Sequence, residues 1–331
     1  MTAPTGRIRL APVRAAVTGG AGFIGSNLVD GLVRSGAEVL VVDDLSTGHE
    51  ANLRDALAAG ARLEKLDVRD ADAVTTAFTA FAPEVVFHLA AQIDVRVSMA
   101  EPARDAATNV LGSVNVFAAA AAAGARRVVN TSTGGAIYGE TDAIPTPETE
   151  PARPLSAYGL SKRTAEEYGS WFRQAHGLNV VTLRYGNVYG PRQDPAGDAG
   201  VIALFCDRVL TGRRPLVFGD GLQTRDYVFV GDIVAANLAA ATAEAPAHDR
   251  YNVGTGTEVS VLELIAAVAE AADVDPATFA PEFRPARAGE VLRSCLDVSR
   301  ARGDLRLATP TPLADGLRQT LDWVRTVAAA R

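Results

Sequence analysis

Lysine is nearly missing from this chain. Of its 331 residues only Lys65 and Lys162 are lysines, although Lys and Arg together number 32. Arginine carries the basic charge, and it is interspersed with acids, giving a formal net charge of -7. A nucleic-acid groove or a polybasic membrane patch needs clustered positive charge, so neither partner is expected. Cysteine is equally scarce. Cys206 and Cys295 lie far apart and make neither a metal-ligand spacing nor a disulfide framework, so no metal is expected. No apolar run approaches the roughly 18 residues that cross a bilayer; the purest, residues 118–123, is far too short. The opening MTAPTGRIRLAPVRAAVTGG lacks the apolar core and cleavage site of a secretory leader. A cytoplasmic protein is the expectation.

What is present is ordinary globular composition, 48% hydrophobic and 21% charged. Short apolar runs at 14–19, 38–43, 62–68, 83–90, 125–133 and 178–190 read as strands. Helical stretches at 71–81, 103–123 and 158–176 separate them. Strands alternating with helices at this spacing imply right-handed βαβ units in a doubly wound parallel α/β sheet of Rossmann type. Ligands bind such sheets beyond the carboxyl ends of the strands. After Pro191 the pattern loosens into a smaller mixed α/β region. The expected division is 1–181 for a nucleotide-binding domain, with about 226–250 rejoining it, and 182–331 for a substrate domain.

The turn after the first strand reads Thr18-Gly19-Gly20-Ala21-Gly22-Phe23-Ile24-Gly25. Strand before and helix after give it meaning. Gly19 permits the tight turn, Gly22 lets backbone approach a pyrophosphate at the helix N-terminus, and Gly25 lets the helix lie close. Asp43 ends the next strand, where a carboxylate can accept from both ribose hydroxyls. With Asp44 it would repel a 2′-phosphate, favouring NAD over NADP. Asp67 is placed to meet the adenine amino group. A solvated strand end or a plain turn is the bland reading of each acid; register with the glycines argues against it.

Tyr158 and Lys162, four apart, fall on one helix face. A nearby ammonium favours phenolate, so it lowers the tyrosine pKa and makes it a general base near neutral pH. Thr133, ending the fifth strand, is expected to hold the reacting oxygen beside Tyr158, with neighbouring Ser132 as the alternative.

TGGAGFIG at 18–25, HLAAQ at 88–92, TSTGGAIYG at 131–139, YGLSK at 158–162, RYGNVYGPRQ at 184–193, RDYVFVGD at 225–232 and YNVGTG at 251–256 together resemble the extended short-chain dehydrogenase/reductases of the UDP-glucose 4-epimerase (UDP-galactose 4-epimerase) type. The resemblance runs over about residues 13–325. It implies a resident NAD and a nucleotide-sugar substrate, with Thr133, Tyr158 and Lys162 as the catalytic set. It further implies that Phe23, Ile24, Val68, Leu89, Ala90, Ala91, Asn109 and Tyr185 join the cofactor site. Asn187, Val201, Phe218, Arg225, Arg287 and Glu290 would bind the nucleotide sugar. Ser294, or its neighbour Cys295, falls where a large residue would exclude an N-acetyl group. Gly134-Gly135 stand where related dehydratases and decarboxylases carry an acid, which argues for oxidation and re-reduction rather than elimination. UDP-glucuronate as substrate, or a silent NAD-binding regulator, are the rival readings. The family pairing through helices implies a homodimer, here through about 103–123 and 158–176.

Overall fold

The computed structural model describes residues 13–194, 200–244, 246–286 and 291–329. β1 (Arg14–Thr18) runs through the glycine turn into α1 (Phe23–Arg34), and β2 (Glu38–Asp43) leads through a 3-10 turn to α2 (Arg54–Ala58) and β3 (Arg62–Lys65). α3 (Ala71–Phe81), β4 (Val85–His88), α4 (Val95–Ala100), α5 (Pro102–Ala106), a π-helical turn (Ala107–Leu111) and α6 (Gly112–Ala122) follow. Then come β5 (Arg127–Thr133), α7 (Gly134–Ile137), α8 (Ala157–His176), β6 (Asn179–Tyr185) and β7 (Asn187–Tyr189). The remainder comprises α9 (Val201–Leu210), β8 (Leu216–Phe218), β9 (Thr224–Arg225), β10 (Tyr227–Phe229), α10 (Val230–Thr242) and β11 (Arg250–Val253). It ends with β12 (Val259–Ser260), α11 (Val261–Ala271), β13 (Glu282–Arg284), β14 (Arg293–Ser294), α12 (Ser299–Asp304) and α13 (Leu313–Ala329).

Seven strands form one parallel sheet in the order β11-β6-β5-β4-β1-β2-β3. Strand order reverses between β1 and β4, so the crevice between their carboxyl ends opens beside the glycine turn on one side and residues 89–91 on the other. The sheet is covered on both faces because its central strands carry apolar residues towards each. Ala15, Val17, Val39, Val41, Val85 and Phe87 pack into one core, and Ala16, Leu40, Val42, Val86 and Val128 into the other. Each fully buried Val or Leu contributes about 1.5–3 kcal/mol. α10 lies so close to α1 that a Cβ on Gly31 would stand 2.7 Å from Val234 Cγ1. A separate core gathers Tyr189, Ile202, Phe205, Leu264, Leu317 and Leu321 under the second region.

Two element expectations change. The sheet includes all of β6 and takes β11 as its outer strand, so a cut at 181 would divide a strand. The stretch 103–123 is a helical run that starts at Pro102 and carries a π turn at Ala107–Leu111 between α5 and α6. The π turn rotates Asn109 inward, and that side chain has work to do there. No helix among the described residues is long and apolar enough to cross a membrane.

Candidate active site

The glycine turn is built by close approach. Gly19 has φ +69°, and a Cβ there would lie 2.6 Å from the Ala90 nitrogen. A Cβ on Gly25 would lie 2.1 Å from the Gly19 carbonyl oxygen, so Gly25 seats the helix on its own turn rather than on the sheet. Four other helices have a side-chain N-cap: Asp70, Asp94, Ser156 and Ser260. α1 has none, and no acid in its first turn. Its N-terminal amides, around Phe23 and Ile24, therefore face the crevice with their dipole unanswered, which suits an anionic pyrophosphate.

Asp43 is buried and holds the turn from below. It accepts from the backbone N–H groups of Ala21 and Leu45, each at 2.9 Å. Burial pushes its carboxyl upward in pKa, and those two amides oppose the shift. Each oxygen keeps a second lone pair, so ribose hydroxyls remain compatible with the arrangement. Asp44 turns to its own loop, accepting from the Ser46 N–H and hydroxyl. Asp67 is likewise engaged: it grips Arg69 through the guanidinium and the backbone N–H, which lowers its pKa. An adenine amino group would have to share that carboxylate. Val68 is buried against Gly112. Leu89 and Ala90 donate their N–H groups to Thr18, fixing the far wall of the crevice, with Ala91 beside them.

Two expected cofactor contacts are spent inside the protein. The Asn109 amide, 1% exposed, binds the Gln92 backbone N–H and carbonyl at 2.8 and 2.9 Å. It also donates to Asp105 and Ser161. It braces the loop after β4 rather than presenting a free amide. The Tyr185 hydroxyl bonds Thr131 and Asn237 within the core, where burial pushes it up to about 12. Its side chain is core, because strand alternation turns it towards α10.

Thr133, Tyr158 and Lys162 do converge. Ser156 caps α8 by accepting from Gly159 N–H at 3.1 Å, and the Tyr158 N–H donates to Ser98 Oγ at 3.1 Å. Gly159 makes the approach possible, since a Cβ there would lie 2.4 Å from the Ala136 carbonyl oxygen. α7, which follows Thr133, thus packs directly on α8, and the Thr133 and Tyr158 side chains are hydrogen-bonded. Ser132, by contrast, is buried with its hydroxyl unpartnered. The geometry selects Thr133.

The electrostatics differ from expectation. Burial, then Asp105, push the Tyr158 phenol up to about 12, with the Thr133 hydrogen bond opposing. Lys162 is not among the protein groups that offset this rise. Lys162 itself is held down to about 8 by burial, against the pull of Glu166 and Asp105. Neither Asp105 nor the Gln92 that touches it was expected from the sequence; the spacing of Asp105 and Asn109, four apart, was the available signal.

The substrate side is assembled from strand ends. β14 pairs β9 so that Ser294 sits opposite Arg225. A Cβ built on Gly135 would be 3.5 Å from Asn187 Oδ1 and 4.0 Å from Ser294 Oγ. Gly135, Asn187 and Ser294 therefore meet beside Thr133. Cys295 faces the other way, 1% exposed, its thiol pushed up to about 12 by burial. Ser294 is the one of the two that stands beside Gly135. At Gly134 a Cβ would meet Leu296 Cδ1 at 2.5 Å, so an acid there would displace packed carbons. Asp226, missed from the sequence, clasps the region: its carboxylate accepts from the Thr255 N–H and hydroxyl, Gly256 N–H and Leu296 N–H. Arg225 donates to the Thr224 carbonyl, Phe218 ends β8, and Val201 opens α9, all half-buried. Arg287 and Glu290 lie outside the described residues.

Comparison with known proteins agrees with this layout. Residues 15–254 match the NAD dependent epimerase/dehydratase family. A UDP-glucose 4-epimerase of Mycolicibacterium smegmatis is 46% identical over 314 residues, spanning 95% of this chain and 99% of that protein. The crystal structure of the Thermotoga maritima UDP-glucose 4-epimerase with UDP-glucose superposes at TM-score 0.90 and 42% identity, covering 95% of this chain and 99% of that one. The Methanobrevibacter ruminantium UDP-N-acetylglucosamine 4-epimerase, in complex with UDP-N-acetylmuramic acid, superposes at 0.89 and 31% identity, covering 96% and 100%. With a capless helix end after a glycine turn, a switch-point crevice and a hydrogen-bonded Thr133–Tyr158 pair, the chain belongs to the NAD dependent epimerase/dehydratase family.

Proposed function

We propose that this chain epimerises C4 of a UDP-hexose, interconverting UDP-glucose and UDP-galactose through a transient 4-keto sugar. NAD, held by the glycine turn, the α1 N-terminus and Asp43, supplies hydride acceptance and return at that carbon and a cationic ring when oxidised. Tyr158 takes the C4 hydroxyl proton and later gives it back. Thr133 holds the same oxygen, and Lys162 would favour the phenolate only together with the positive charge of the oxidised cofactor. Asn187, Phe218, Val201, Arg225, Arg287 and Glu290 would anchor the nucleotide while the sugar turns, so binding energy remote from C4 retains the intermediate. In this reading the sheet domain carries cofactor and catalysis, and the second region carries the substrate.

The observation that carries the reading is the Thr133–Tyr158 hydrogen bond followed by Gly134 and Gly135. The pair can move a proton at a carbinol, and no acid follows Thr133 to expel water. Small Ser294 beside Gly135 supports N-acetylated hexoses as further substrates.

We also read the protein as a cytoplasmic homodimer. Both cysteines are free and buried, as suits a reducing compartment. Met99, Leu111, Leu160 and Trp171 expose 50–60% of their surface on α4, the π turn and α8, an apolar face suited to a second copy.

Chromatography of UDP-glucose, UDP-N-acetylglucosamine and UDP-glucuronate after incubation tests the reading. Conversion of the plain hexose to its C4 epimer is expected. Conversion of UDP-glucuronate alone, or a dehydrated product, would overturn it. A silent regulator would give no reduced-nicotinamide absorbance with any of the three.

A further inference from the structure

We propose that Asp105 is a positioning residue for the Tyr158–Lys162 pair, its buried carboxylate being the counter-charge that keeps Lys162 an ammonium. Asp105 is 1% exposed on α5, which packs on α8. Its Oδ1 accepts from Gln92 Nε2 at 3.1 Å and Asn109 Nδ2 at 3.0 Å. That same Asn109 amide donates to Ser161 Oγ at 3.1 Å, and Ser161 Oγ donates to the Tyr158 carbonyl at 2.9 Å. Hydrogen bonds thus tie the carboxylate to the very helical turn that carries Tyr158 and Lys162. Its Oδ2 is buried and has no hydrogen-bond partner. A carboxylate oxygen left bare at that depth is costly unless a cation answers it through space.

Lys162 is that cation. Three groups bear on it: Glu166 from α8, Asp105 from α5, and His88 from β4. Glu166 is already matched, since both its oxygens bind the Arg184 guanidinium at 2.9 and 2.5 Å and Arg250 stands 3.9 Å away. His88 is buried and pushed down to about 3, so it is neutral. Asp105 is the carboxylate in this group without a guanidinium of its own. Burial lowers Lys162 to about 8 even with Asp105 pulling the other way, so loss of that charge would carry it lower. The arrangement has a cost, because the same charge raises Tyr158. Asp105 therefore moves the pH range of the whole pair upward. If its role were only to brace Gln92 and Asn109, the isosteric amide would serve as well.

The two-lysine composition makes the test direct. Lysine labelled at its terminal carbon gives two signals, and exposed Lys65 is the internal reference. In the full chain, Asp105→Asn should lower the Lys162 titration midpoint by about one pH unit or more. Both limbs of the kcat/KM profile should move to lower pH, since Tyr158 loses a repelling charge. An unmoved Lys162 midpoint in the folded variant overturns the proposal. Should Asp105→Asn not fold, Asp105→Ser serves in its place, and the Lys162 midpoint is again expected to fall. An unmoved Lys162 midpoint in that variant overturns the proposal equally. The kinetic limbs rest on the proposed epimerisation, whereas the two NMR titrations need no substrate, so failure of one reading is distinguishable from failure of the other.

Discussion

At Tyr158 two demands oppose each other. Burial holds the phenol up to about 12, yet a base must shed its proton near neutral pH. Only positive charge brought to the crevice resolves this, which couples base strength to cofactor charge. Tyr158→Phe should keep its fold and NAD content and lose about 10²–10⁴-fold in turnover, read by steady-state kinetics beside cofactor absorbance; undiminished turnover would remove Tyr158 from the chemistry. Ser294→Tyr should depress kcat/KM for N-acetylated hexoses roughly 10–100-fold more than for plain hexoses. Equal losses on both would take Ser294 out of the gate. His88 gives a third residue-scale outcome. It is held between Thr18 Oγ1 and Ser113 Oγ at 2.7 and 2.9 Å, and its pKa is lowered to about 3. The depressed folded value means that its contribution is complete above the unfolded pKa of about 6.5 and is lost as pH falls towards 3. Between those limits stability should fall by up to about 1.4 kcal/mol per pH unit on this account. His88→Asn should show a shallower slope in denaturant unfolding at pH 7, 6 and 5, and an unchanged slope would assign the loss elsewhere.

Among the elements, glycine turn and α1 were legible because their constraint is local. Positive φ at Gly19 and the contact between Gly25 and the Gly19 carbonyl oxygen involve residues six apart. Gly25→Ala should therefore destabilise the chain by about 1–3 kcal/mol and release NAD, checked by thermal melting and by cofactor content after desalting. A fully loaded, equally stable variant would show that the turn tolerates a methyl. Tyr158 and Lys162 were legible for the same reason: four residues on α8 fix their common face. The π turn within 103–123 was not legible. A π turn arises because Asn109 must reach the loop after β4, a contact across 17 residues that helical periodicity does not encode. Similarly, β6 and β7 read as one run at 178–190 because the separation at Gly186 follows from its contact with Asp226, 40 residues away.

For the whole molecule, the apolar face of Met99, Leu111, Leu160 and Trp171 bears on association. If the proposed dimer forms through this face, Leu160→Glu combined with Trp171→Glu should weaken self-association roughly 30-fold or more in sedimentation equilibrium; an unchanged mass distribution would count against it. Turn chemistry, strand–helix alternation and the four-residue spacing on α8 were determined by the sequence itself, since each depends on neighbours along the chain. Tertiary structure alone decided that Thr133 rather than Ser132 meets Tyr158, that Ser294 rather than Cys295 meets Gly135, that Asn109 and Tyr185 are spent internally, and that Asp105 stands behind Lys162. Those outcomes turn on which polar atoms are buried against one another, and burial is set by packing between segments distant in sequence.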